Sequence, residues 1–188
     1  ASCDIGGRGV AVRADGELLF AGLSDCWAGH IYEATYEYDP EAPYEANVNP
    51  RVELTDHWHA QSLTHQDWNG NGCSFDYNAR AYGLAIDQKA DVWVSSITGY
   101  IAWIDLEERR SCSFPGQTTY GLAIDYAGRV WYGDWSGGFG IAHVFIPESK
   151  TFYTVTKKLD GSDFHSGTNL PSSQNTRGVS ASSDPNKP

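Results

Sequence analysis

The stretch YGLAIDQKADVWV, residues 82–94, decides the fold, because YGLAIDYAGRVWY follows at residues 120–132 with its first six letters unchanged. Two more segments align with it, RGVAVRADGELLF at 8–20 and RGVSASSDPNKP at 177–188. In the first three copies a glycine (Gly9, Gly83, Gly121) stands 11 residues before an apolar or aromatic residue (Phe20, Val94, Tyr132). A unit that recurs with this spacing is a structural repeat.

Each copy reads as two strands joined by a tight turn. The segment G-[LV]-A-[IV] is short and rich in β-branched residues, and five residues of turn type, with an Asp among them, separate it from V-W-V, V-W-Y or L-L-F. A Gly/Ser-rich bend (95–99, 133–140) then leads to a third strand at 100–106 or 141–146. A polar fourth strand at 110–114 or 151–156 completes the unit. Four short antiparallel strands per repeat of roughly 40 residues make one blade of a β-propeller. Helical spacing is sustained nowhere, which excludes a helical solenoid. A β-sandwich would have similar strands without spelling one hairpin three times.

The spacing also counts blades. Gly83 to Gly121 is 38 residues, Gly121 to Gly178 is 57, and Gly9 to Gly83 is 74, close to twice 37. The expectation is an all-β chain, a single domain over 1–188 with about four four-stranded antiparallel blades, the last incomplete. A decorated or degenerate blade is expected in 45–80, its hairpin between 52–54 and 57–61, and a Ser/Asn/Gly-rich surface loop at 157–176. Counting 11 residues on from Gly178 passes Pro188, so the expectation is a fragment of a larger propeller or a chain completed by another.

The chain has 40% hydrophobic and 13% aromatic residues, enough for a packed core. A formal charge of -11, from 24 acidic and 13 basic residues, argues against nucleic acid or an anionic membrane as partner. No run approaches the roughly 20 apolar residues that span a bilayer, so no membrane insertion is expected. Methionine is absent throughout, which suggests a processed product or a fragment. Four cysteines, Cys3, Cys26, Cys73 and Cys112, lack close C-x-x-C spacing and read as two disulfides of an extracytoplasmic protein, periplasmic or secreted. Pairing Cys3 with Cys26 and Cys73 with Cys112 closes modest loops, although spacing alone leaves all three connectivities open.

The hairpins YGLAID-x4-VWV and YGLAIDYAGRVWYGDW resemble the repeats of the streptogramin lyase (virginiamycin B lyase-like) β-propeller family, over 8–39 and 81–152. The resemblance implies a propeller scaffold. Lyases of this family open a cyclic depsipeptide ester by elimination, with a histidine base and a divalent cation near the channel. None of the six histidines here (His30, His57, His59, His65, His143, His165) matches a catalytic motif of the family, so no catalytic residue is carried over.

Three constellations carry possible chemistry. DWNGNG, 67–72, matches the opening of a calcium loop, in which Asp67, Asn69, Asn71, the Cys73 carbonyl and Asp76 would be ligands of a Ca2+ ion. Asn78 stands where that loop places its bidentate Glu, and an ordinary Asn-Gly turn is the competing reading. In D-H-W-H, His57 and His59 share a strand face and could grip a metal if another ligand joined them. Tyr32, Tyr36, Tyr38 and Tyr44 alternate in part with acids, as one face of a strand or as a surface for protein or glycan. Together these features predict a binding or assembly module whose partner is another protein or the remaining propeller blades. The alternative is a metal-dependent lyase of the streptogramin lyase type.

Overall fold

The computed structural model describes residues 7–14, 16, 18–24, 27–36, 41–43, 52–75, 81–116, 118–133, 142–155, 161–162 and 180–181. These residues form three sheets and no α-helix. The first sheet runs β1 (Gly7–Val12), β2 (Leu18–Ser24), β3 (Trp27–Tyr36), β4 (Val52–His59), each strand antiparallel to the next. A 3-10 turn (Ala60–Ser62) follows, and then the short β5 (Thr64–His65). The second sheet contains β6 (Ala81–Ile86), β7 (Val92–Ser96), β8 (Tyr100–Asp105) and β9 (Arg110–Pro115), with β5 parallel to β9 at its outer edge. The third is β10 (Leu122–Ile124), β11 (Val130–Gly133), β12 (Ala142–Ile146) and β13 (Thr151–Thr154).

The repeated hairpins therefore become the first two strands of each sheet, β1–β2, β6–β7 and β10–β11, and in the second and third sheets the third and fourth strands lie where the sequence placed them. Period-two alternation explains the packing. On the second sheet Leu84, Val92, Val94, Ala102 and Ile104 form one apolar face, which packs with Ala11 and Ala60. Trp93, Ile101, Trp103 and Phe114 form the other, against Leu122, Val130, Tyr132 and Phe145 of the third. Such stacked four-stranded sheets are a propeller-like arrangement.

Residues 52–59 depart from the expected hairpin. They form one continuous strand, the outer strand of the first sheet. No Gly or Pro interrupts the run, and the irregularity is absorbed by a bulge at Thr55, since Glu33 pairs with Asp56 and Ala34 with Leu54. The residues that follow decorate the second sheet. Gln66 bridges Gly72 across a tight turn, and the Ser113 N–H donates to the Ser74 carbonyl. The 157–176 loop, apart from residues 161–162, and all of the fourth copy except residues 180–181 lie outside the described residues.

Candidate functional site

The first strands β1, β6 and β10 stand side by side, and their glycines let them do so. A Cβ on Gly9 would meet the Tyr82 carbonyl oxygen and the Leu84 nitrogen at 2.8 Å. One on Gly83 would strike the Tyr120 carbonyl oxygen and lie 2.7 Å from Ser95 Oγ. Buried Ser95 of β7 ties the two strands together: its Oγ accepts the Gly83 N–H at 2.8 Å and donates to the Tyr120 carbonyl at 2.9 Å. The first letters of the two YGLAID copies also touch, Tyr82 and Tyr120 meeting edge to face with ring centres 4.1 Å apart. Along these strands runs an open groove of about 510 Å³, lined by Gly9, Val10, Tyr82, Gly83, Leu84, Tyr120, Gly121 and Leu122. Its described walls offer backbone, aliphatic and tyrosine surface, suited to holding a ligand by shape and ring contact.

The aspartates that end the repeat brace the hairpin turns. Asp87 Oδ1 accepts the N–H groups of Lys89 and Asp91, and Oδ2 accepts Trp93 Nε1–H at 2.9 Å. Asp125 does the same for Ala127, Arg129 and Trp131, and also takes Arg129 Nε–H at 2.6 Å. Burial works to raise the Asp125 carboxyl, but Trp131 and Arg129 outweigh it and hold it below the usual value. Asp91 behaves differently. Burial, opposed by the Trp103 Nε1–H bond and aided by the charges of Asp87 and Asp105, pushes its carboxyl up to about 6.

Asp67 repeats this turn in the DWNGNG segment. Its Oδ1 accepts the N–H groups of Asn69 and Asn71 at 2.9 and 3.0 Å, as Asp87 does for its own i+2 and i+4 neighbours. Gly70 at φ 78° takes the place of Ala90 at 66° and Gly128 at 75°. Fully buried Asp67 forms an ion pair through Oδ2 with Lys150, from the turn between β12 and β13. Burial raises this carboxyl, and Lys150 with the Asn71 and Asn69 donors holds it below its usual value. A calcium site needs converging oxygens, whereas this carboxylate already receives N–H groups and an ammonium. Of the predicted ligand set, Asp76 lies outside the described residues.

Cys73 and Cys112 are joined by a disulfide, Cα atoms 5.8 Å apart, which fastens the DWNGNG turn to β9. Cys3 and Cys26 lie outside the described residues, as do Tyr38 and Tyr44. Tyr32 and Tyr36 lie on β3 opposite His57 and Val52. His59 Nδ1 is hydrogen-bonded to Ser62 Oγ at 3.2 Å. Buried His143 bonds Thr154 Oγ1 at 3.1 Å and stacks on Tyr132, away from the groove lining. Sequence reasoning missed Ser95, Lys150 and Trp68. Trp68 packs against Trp93, Trp103 and Phe114, with the Lys150 ammonium 5.8 Å from its ring centre.

The described sheets thus form a propeller-like fold, with a groove between first strands. A solved structure supports the propeller-like fold. The chain is similar to a streptogramin B lyase structure with a TM-score of 0.53 and 14% identity, covering 82% of this chain and 41% of that one. It is also similar to a virginiamycin B lyase from Staphylococcus aureus (TM-score 0.41, 15% identity, 85% and 58% covered). A third likeness is to a Trichoderma reesei protein of carbohydrate-active enzyme family AA12 (TM-score 0.45, 12% identity, 80% and 38% covered). The chain spans less than two thirds of the length of each. No family model and no curated protein sequence matches it.

Proposed function

We propose that this chain is an extracytoplasmic propeller module for binding and assembly, forming part of a larger propeller or complex. The observation that carries the reading is a contrast at one repeat position. Leu84 and Leu122 are each 8% exposed because a neighbouring sheet covers them, whereas Val10, their counterpart on β1, is 59% exposed. Val12, the counterpart of Ile86 and Ile124, is 57% exposed on the same face. A face that is an interface at two successive sheets is built to receive another at the third. The disulfide supports an oxidising compartment. The described groove lining carries no imidazole or carboxylate, which favours binding over elimination chemistry.

Sedimentation of the chain over a wide concentration range tests this. Wild type is expected to associate through the Val10/Val12 face, and the Val10→Lys/Val12→Lys variant to remain monomeric with an unchanged circular dichroism spectrum. Concentration-independent monomer for wild type would refute the assembly reading. Ring opening of a streptogramin B depsipeptide, followed by its chromatographic retention with and without divalent cation, would replace it with the lyase reading.

A further inference from the structure

Val10 and Val12 mark one open face of the stack of sheets, and a second lies at its other end. Each inner interface joins unlike faces. Ala11 of the first sheet packs with Leu84 of the second, and Ala85 of the second packs with Leu122 of the third, so the alanine side of one sheet meets the leucine side of the next. Directly opposite residues of neighbouring strands share a face. Ala85, Trp93, Trp103 and Cys112 therefore form one row across the second sheet, and Ala123, Trp131, Val144 and Tyr153 form the matching row across the third. The first row ends on a fully buried cysteine, whereas the second ends on Tyr153, which is 51% exposed. On the first sheet the register runs from Val12 through Leu18 and Ala34 to Leu54, which is 54% exposed. Val10, Val12, Leu54 and Tyr153 are the exposed large hydrophobic residues among those described, and all of them stand on these two outer faces.

We propose that the Trp131/Tyr153 face of one chain docks, head to tail, on the Val12/Leu54 face of a second copy of the chain. The proposal rests on the assembly reading above and names its partner. The third sheet presents the alanine side, with Ala123 in the place of Ala11 and Ala85, and the first sheet presents the leucine side, with Val10 in the place of Leu84 and Leu122. The two open faces are thus the two halves of an interface that the chain already builds between its own sheets. A second copy supplies both halves at once, and stacking of like units extends a repeat by the same neighbour contacts that hold it together. Tyr153 suits such a place, since tyrosine buries a large rigid ring while its hydroxyl stays at the wet rim. A contact between unlike patches is heterologous, so each chain uses one face to give and the other to receive.

A lysine placed on either face tests this. Positions 54 and 153 are exposed in the single chain, so Leu54→Lys and Tyr153→Lys should keep the wild-type circular dichroism spectrum. Each should weaken self-association about tenfold or more in sedimentation, because every contact then buries one ammonium against an apolar face. Mixed in equal amounts, the two variants should form a one-to-one complex with the affinity of the wild-type contact, since the intact Tyr153 face of one meets the intact Leu54 face of the other. On the unmodified chain, hydroxyl-radical footprinting read by peptide mass spectrometry should show Leu54 and Tyr153 protected together as concentration rises, which keeps the proposal testable if a variant fails to fold. Tyr153→Lys associating as tightly as wild type, protection of Leu54 without Tyr153, or a mixture that stays monomeric where wild type associates overturns the head-to-tail contact and leaves the assembly reading standing. Wild type that stays monomeric at every concentration overturns both.

Discussion

Replacing Lys150 by Met asks whether the DWNGNG turn is held by a built-in ammonium or by a metal ion. Asp67 is fully buried, so removing its cationic partner leaves a charge away from water. Breaking a fully buried pair costs about 3–5 kcal/mol. Lys150 is 40% exposed and the carboxylate keeps the Asn69 and Asn71 donors, so water and those bonds reduce the expected loss to about 1–2 kcal/mol. Met retains most of the stem that lies by Trp68, which limits the lost packing. For a chain of this length the loss lowers the melting temperature by roughly 2–8 °C. In a double-mutant cycle, Asp67→Asn with Lys150→Met should show a coupling of about 1–2 kcal/mol, since each substitution removes the same pair. The assay is calorimetric melting in chelator and in millimolar calcium. A Lys150→Met variant as stable as wild type, together with a wild-type melting point that calcium raises by several degrees, would refute the ammonium account and restore the calcium loop.

Two further outcomes follow from particular atoms. Because the folded Asp91 pKa of about 6 lies above its reference value of 3.8, the folded state holds the extra proton between these values, and stability falls as pH rises through that window. Asp91→Asn should therefore raise stability at pH 7 by about 1–2 kcal/mol once solvent screening of this half-buried group is allowed for, with little effect near pH 4, in urea unfolding at both pH values; equal effects at both would refute it. Asp67 and Asp125 act oppositely, their contributions being lost only as pH falls through their depressed values. Gly83→Ala should cost about 1–3 kcal/mol, because its methyl meets backbone of the adjoining strand. Gly72→Ala, with nothing within 4 Å of its Cβ position, is the control, and comparable losses for the two would sink the close-approach argument.

The hairpins were legible because two forces agreed on the same letters. Leu84 and Ile86 satisfy a strand with one face on its neighbour, and Asp87 satisfies a turn that needs an acceptor for two N–H groups. The role of DWNGNG was not legible, since an Asx turn and a calcium loop both begin with Asp and favour Asn and Gly. What separates them is Lys150, 83 residues away in sequence. One signal was present: Asp67-x3-Asn71 has the spacing of Asp87-x3-Asp91 and Asp125-x3-Arg129, with a small residue at the fourth position each time. The continuous β4 was obscured for a similar reason, because a bulge leaves no mark in the sequence comparable to a Gly or Pro.

The identity of the two YGLAID segments now has a cause at each letter. Tyrosine meets tyrosine across the first strands, glycine admits the neighbouring backbone, the aliphatic pair fills the space between sheets, and aspartate closes the turn on a tryptophan. The second and third sheets share all of these roles, whereas the first copy keeps the glycine and the aliphatic pair and has Arg8 and Arg13 at the tyrosine and aspartate positions. The third and fourth strands lie farther from the groove and carry no such shared requirement, which is why Ala102 and Ser113 in one sheet can stand where Tyr32 and His57 stand in another. Repetition thus marks the scaffold, and chemistry particular to this chain is to be sought where the copies disagree.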